Sequence, residues 1–177
     1  LKHLCPFIFL ILYLAMNNNK FDLLIFDWEG TLSNGDFSTK MHQGAELFAG
    51  VELGIKNLKM QGYLLCIATG KSIKSLNQDL IDTNLKDYFL LSKTVDDCFS
   101  KPHPQMILEI LNFTMVDSEK ALMIGDSSCD LEMANNAGIS SLAVAYGAEP
   151  LEKLKEFDAL DIIENPYDLF SWVRING

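Results

Sequence analysis

The sequence predicts a single α/β domain on a mainly parallel sheet of five or six strands, with helices on both faces. Three observations carry this expectation. Short apolar runs alternate along the chain with amphipathic stretches of helical period. The runs lack the strict in-out alternation of a half-exposed sheet, so both of their faces are covered. No repeat, low-complexity tract or long linker divides the chain, and 177 residues can bury about 70% of their unfolded surface without disulfides.

The elements follow in order. The run 21–26 (FDLLIF) reads as the first strand. Residues 43–61 read as a helix with Leu47, Phe48, Val51, Ile55 and Leu58 on one stripe, ending at Gly62. The run 63–68 (YLLCIA) is a second strand, 72–82 a helix, 88–91 (YFLL) a short strand, and 104–112 a helix with Pro104 in its first turn. Then come strand 121–126 (ALMIGD), helix 128–137 stopped by Gly138, strand 140–146, a short helix near 149–156 and an edge strand at 159–163. Asn34-Gly35 suggests a tight hairpin turn.

Residues 1–15 stand apart from this core, which is read as one domain over 16–177. The apolar stretch from Leu4 to Met16 is too short for an ordinary membrane span and follows Lys2 and His3, as the core of a secretory signal would. Three readings stay open: an extension outside the natural protein, a signal or tether, or an additional helix or strand. The location expected for the domain is cytoplasmic, with export as the alternative if residues 1–15 act as a signal. No other apolar run approaches the length of a span, so no stable membrane span is expected.

Acidic residues outnumber basic ones 24 to 14, giving a net charge of −10, and Arg174 is the only arginine. A broad attraction to nucleic acid or to an anionic membrane is thereby disfavoured. A local lysine and a metal ion can still reverse the field for one phosphate. Cys5, Cys66, Cys98 and Cys129 show no paired ligand spacing, and the three histidines complete no zinc cluster.

In open parallel sheets the ligand lies beyond the carboxyl ends of the strands, and the notable polar residues follow predicted strand ends. Asp27 and Glu29 follow the first strand in DWEGTL. A lone acid there would cap the next turn, but two acids followed by Gly30 and Thr31 repel unless a cation or shared proton is present. Asp126 and Asp130 lie in GDSSCD; Asp130 alone would suit a helix N-terminus, with Ser127 or Ser128 as the cap. Asp126 together with Asp27 offers hard oxygen ligands with no His or Cys nearby, a donor set suited to Mg²⁺. Thr69 or Lys71 in ATGKS could donate to a phosphate, although Gly62 stands too far ahead to complete a P-loop. Lys101 sits between a serine and Pro102 in SKPHP; a surface lysine is the ordinary reading, and a nearby carboxylate cluster favours an ammonium instead.

Taken together, these motifs resemble the haloacid dehalogenase superfamily of phosphohydrolases, and within it the phosphoglycolate phosphatase branch. DWEGTL stands for D-x-D-G-T-[LV], Thr69 for the serine or threonine ending the second strand, Lys101 for the third-motif lysine, and GDSSCD for the fourth-motif acids. The likeness covers residues 21–165 in order. It implies a three-layer α/β/α Rossmann-like sandwich and a Mg²⁺-dependent phosphomonoesterase. In that reading Asp27 is the nucleophile that forms an aspartyl-phosphate, and Glu29 is the acid/base. Thr69 and Lys101 bind the phosphate. Mg²⁺ is held by Asp27, the backbone carbonyl of Glu29, Asp126 and Asp130.

The chain departs from the pattern twice. Glu29 replaces the usual second Asp, lengthening the acid/base by one methylene. The interval 32–42 leaves room for a flap but not for a large cap, so the site is expected to be open unless an oligomer or partner covers it. The substrate expected is a small phosphorylated metabolite, with a bulkier phosphorylated substrate as the alternative. A second function class is a catalytically weak domain of this fold that binds a protein or phospholigand. A phosphate-accepting switch, which also uses a strand-end Asp, would require neither Thr31 nor the GDSSCD block.

Overall fold

The structure is a computed structural model that describes residues 19–35 and 45–177. In chain order the strands are β1 (Leu23–Phe26), β2 (Ser33–Asn34), β3 (Glu46–Leu47), β4 (Leu64–Ala68), β5 (Leu91–Lys93), β6 (Ala121–Gly125), β7 (Ser140–Val144) and β8 (Ile162–Ile163). The helices are α1 (Val51–Met60), α2 (Ile73–Asp82), α3 (Gln105–Thr114), α4 (Ser128–Ala137), α5 (Leu151–Leu154) and α6 (Pro166–Asn176). One parallel six-stranded sheet runs β5-β4-β1-β6-β7-β8, and β2 and β3 form a separate antiparallel pair.

The first strand among the described residues, β1, lies in the middle of the sheet; the chain then winds outward through β4 and β5 and crosses over β1 to β6, β7 and β8. Strand order therefore reverses around β1, where a crevice opens beyond the strand ends. Leu23 of β1 sits in register with Leu64 on one side and Ala121 on the other. Successive side chains alternate between two apolar layers. Leu24 and Phe26 join Val51, Ile55 and Leu58 of α1, Leu76 and Leu80 of α2, and Leu169 and Val173 of α6. Leu23 and Ile25 join Met106, Ile107 and Ile110 of α3 with Met133 and Ala134 of α4. The result is a three-layer α/β/α Rossmann-like sandwich.

Local chemistry sets the helix ends. Ser72 accepts the Ser75 N–H at the start of α2. Ser127 and Asp130 form a capping box at α4, and Gly138 ends that helix at φ 72°.

Several boundaries differ from the sequence reading. The helix expected over 43–61 begins at Val51: Leu47 pairs with Ser33 as strand, and Phe48 lies in the following turn. Both still pack on the same core layer, so the apolar spacing reflects burial and not helix. The strand expected at 88–91 falls at Leu91–Lys93, because Lys86–Tyr88 forms a 3₁₀ turn. Asn34 pairs with Glu46, so Asn34-Gly35 is not a two-residue hairpin turn; residues 36–44 of the flap lie outside the described residues, as do residues 1–15 and Cys5. The sequence reading missed α6, although Asn165 caps it and Pro166 opens it. Among the described residues no helix is long and apolar enough to cross a membrane.

Candidate active site

Asp27 continues β1 by one residue: its N–H donates to the Ile124 carbonyl at 2.9 Å, which brings it level with the end of β6. Asp126 leaves β6 at that level, and Asp130 stands one turn into α4. The three carboxylates offer oxygens within 4.8 Å of one another, and all three residues are buried. Lys101, from the segment before α3, inserts its ammonium between two of them, 2.7 Å from Asp27 Oδ1 and 2.5 Å from Asp130 Oδ1.

Asp126 and Asp130 are also held from behind. The Ala148 N–H donates to Asp126 Oδ2 at 2.6 Å, and the Thr31 hydroxyl donates to Asp126 Oδ1 at 3.4 Å. Ser127 donates its hydroxyl to Asp130 Oδ2 at 2.6 Å. The loops close so tightly over Asp126 that side chains are excluded. A Cβ on Gly30, whose φ is +81°, would lie 2.1 Å from Asp126 Oδ2, and one on Gly147 would lie 2.3 Å from the same atom.

With all three acids ionised, Lys101 balances only one, and the electrostatics reflect the excess. Burial pushes the Asp27 carboxyl from 3.8 to about 7; Lys101 pulls it down and Asp130 pushes it up. Burial also raises Asp126, against the pull of the Ala148 N–H. Burial alone would weaken the charge on Lys101, but Asp130 and Asp27 outweigh it and hold the ammonium above the usual lysine range. Hard oxygen donors in excess of local positive charge fit a divalent cation such as Mg²⁺.

Thr69 lies at the end of the neighbouring strand, its N–H bonded to the Lys93 carbonyl at 3.0 Å and its hydroxyl accepting the Lys71 N–H at 3.3 Å. The Glu29 carboxylate stands apart from the three-acid cluster. It accepts from Lys71 Nζ at 2.9 Å, and the same ammonium lies 2.8 Å from Asp79 Oδ2. The Trp28 indole N–H donates to that Asp79 oxygen at 2.9 Å. Sequence reasoning weighed Lys71 as a phosphate donor and missed Asp79. A signal existed: Asp79 shares the buried stripe of α2 with Leu76 and Leu80, where an acid needs a partner. Glu149, which accepts the Ser128 N–H and hydroxyl at 2.8 Å each, was also missed; it follows the strand expected at 140–146 without a motif to mark it.

A parallel sheet with acidic residues gathered around a lysine at its switch point defines an open α/β protein whose ligand site lies beyond the carboxyl ends of the strands. The haloacid dehalogenase-like hydrolase family matches residues 31–144, and the chain belongs to that family. It is similar to "Probable phosphatase IndB" of Dickeya dadantii, 34% identical over 119 residues, covering 67% of this chain and 52% of that protein. Pyrophosphatase PpaX of Bacillus mycoides is 32% identical over 127 residues, covering 70% of this chain and 58% of that one. The chain thus spans between half and three-fifths of the length of these curated relatives. Among solved structures, a haloacid dehalogenase-like hydrolase from Streptococcus pneumoniae superposes with a TM-score of 0.73 at 17% identity, over 86% of this chain and 98% of that one. A HAD-superfamily hydrolase of subfamily IA from Geobacter sulfurreducens gives 0.71 at 16%, over 89% and 99%. These structural likenesses carry the fold alone.

Proposed function

We propose that this chain is a Mg²⁺-dependent phosphomonoester hydrolase that works through a phosphorylated Asp27. The observation that carries the reading is the convergence of Asp27, Asp126 and Asp130 on Lys101 at the sheet's switch point. Asp27, Asp126, Asp130 and the backbone carbonyl of Glu29 would hold the cation. When bound, it supplies positive charge that screens the substrate phosphate from the acids.

The protein's own groups then perform the following chemistry. Lys101 and Thr69 bind non-transferring oxygens of the phosphoryl group and orient it toward Asp27. A carboxylate oxygen of Asp27 attacks phosphorus as the bond to the leaving oxygen breaks, and Glu29 gives that oxygen a proton. Glu29, now a carboxylate, takes a proton from water. The water oxygen attacks phosphorus and breaks the Asp27 oxygen to phosphorus bond, releasing inorganic phosphate and restoring both acids.

The domain proposed for this work is a single core over 16–177 without a large cap, in the phosphoglycolate phosphatase-like branch. Without a large cap such a site would suit a small phosphorylated metabolite, with a bulkier phosphorylated substrate as the alternative. The longer Glu29 side chain, where an aspartate is usual, favours a second reading, a catalytically weak domain that binds a phospholigand or protein. A phosphate-release screen over sugar phosphates, nucleotides, phosphoglycolate and phosphopeptides, with and without Mg²⁺, separates the two. Release that requires Mg²⁺ and is lost in Asp27→Asn supports hydrolysis; no release from any substrate supports the binding module.

A further inference from the structure

We infer that Lys71 is a positioning residue for Glu29, its ammonium restricting the Glu29 carboxylate through their ion pair. The inference rests on the proposed acid/base role of Glu29.

Four groups close a ring. Trp28 and Glu29 are adjacent in the chain; the Trp28 indole N–H fixes Asp79 Oδ2, Asp79 fixes Lys71 Nζ, and Lys71 returns to Glu29 Oε1. Every link is between 2.8 and 2.9 Å. The ring is anchored in the core: Trp28 is fully buried and meets Phe89 edge-on at 6.4 Å. Lys71 is fixed at its other end too, since its own N–H bonds Thr69 Oγ1, the residue read as a phosphate ligand.

An exposed ion pair would carry little weight. Here the Lys71 side chain is 14% exposed and that of Asp79 12%, whereas Glu29 retains 32% and faces solvent. The covered part of the ring is the anchor, and the accessible end is the acid. A glutamate has one more rotatable bond than an aspartate, and fixing such a side chain costs rotamer entropy. A second contact that restricts its rotamers offsets this cost, and Lys71 provides one.

Lys71 also neutralises Asp79, so the test must separate support of the fold from positioning. The measurements are Mg²⁺-dependent kcat and KM on an alkyl phosphate and on p-nitrophenyl phosphate, whose leaving group needs little protonation. Lys71→Met should lower kcat on the alkyl phosphate by about tenfold to a hundredfold, leave KM within about twofold, and affect p-nitrophenyl phosphate less. Lys71→Arg should recover part of the loss. In a Glu29→Gln background, Lys71→Met should change kcat by less than about twofold, because a contact that acts through Glu29 has nothing left to position. If Lys71→Met unfolds the protein, Lys71→Met with Asp79→Asn removes the unpaired acid while keeping an acceptor for Trp28. Crystal structures of wild type and Lys71→Met supply a readout besides turnover: Glu29 should hold one conformer in the first and leave it in the second.

An unmoved Glu29 conformer in Lys71→Met, an equal loss in both backgrounds, or a loss confined to KM would overturn the inference. Full turnover in Glu29→Gln would instead overturn the acid/base role of Glu29, whatever the conformer shows. Absence of turnover in wild type would overturn the hydrolase reading, and the crystal structures would still decide whether Lys71 holds Glu29.

Discussion

The Lys101 ammonium lies 2.7 Å from Asp27 Oδ1, tying the turn before α3 to the end of the central strand. The pair is buried and incomplete, since Asp126 and Asp130 add two further acids to one base. A site of this charge balance is costly when empty of cations and gains stability when it binds one.

The pH dependence of the metal-free protein follows from that balance. Asp27 binds its proton in the folded state up to about pH 7, against 3.8 as its ordinary value. The folded state therefore holds more protons than the unfolded one between those limits. The Asp27 contribution is fully present below pH 3.8 and is lost as pH rises through about 7. Asp126, also raised, acts with the same sign. In chelator, the melting temperature of wild type relative to Asp27→Asn should fall between pH 5 and 8, and Mg²⁺ should restore it. A flat difference curve would show that Asp27 is not the group held protonated.

Metal affinity should depend on the space around Asp126. Asp126→Asn removes an anionic ligand and should weaken Mg²⁺ binding more than Gly147→Ala. The added Cβ of Gly147→Ala would stand 2.3 Å from Asp126 Oδ2 and push the carboxylate aside. Disturbing such a support typically costs tenfold to a hundredfold in metal affinity. Calorimetric titration of both variants checks this, and unchanged affinity in both would remove Asp126 from the cation site.

Sheet and site were legible in the sequence to different depths. The buried strands announced themselves as apolar runs, and the strand-end rule then pointed to Asp27, Thr69 and Asp126 without further knowledge. Lys101 was legible from the residues as a lysine beside prolines and, through the family resemblance, as the third-motif lysine; its pairing with Asp27 was not legible, because it joins distant segments. The flap region misled for a physical reason: Leu47 and Phe48 are spaced like the stripe of α1 and pack on its core, but the chain reaches that core as strand and turn. The ring through Trp28, Asp79, Lys71 and Glu29 was hidden because it links two strand-end turns with a helix interior.

The unforeseen helix α6 should matter for stability. It places Leu169 and Val173 under the sheet, both fully buried. Leu169→Ala should cost about 2–5 kcal/mol, the usual range for emptying a packed core site. Asn165→Ala, which removes the acceptor for the Tyr167 N–H, should cost about 1 kcal/mol. Denaturant unfolding ranks the two. Equal and negligible costs would mean that α6 only drapes over a core already closed by α1 and α2.

The role of Glu29 separates a working enzyme from a binding domain. Its carboxylate already has a fixed partner in Lys71, so Glu29→Gln keeps a side chain of the same size and should fold normally. An amide cannot relay a proton, and losing a general acid/base typically slows turnover about 10² to 10⁴-fold. If attack by Asp27 survives better than hydrolysis of the phosphorylated protein, p-nitrophenyl phosphate should give Glu29→Gln an initial burst followed by a slow steady phase. Glu29→Asp shortens the arm and also breaks the contact with Lys71, so it should not exceed wild type. Burst amplitude and steady rate are to be compared across wild type, Glu29→Gln and Glu29→Asp at one Mg²⁺ concentration. Equal behaviour of wild type and Glu29→Gln in both phases would remove Glu29 from proton transfer. Turnover that appears only in Glu29→Asp would show that the longer acid has taken the site out of catalysis, and that this chain binds its phospholigand without cleaving it.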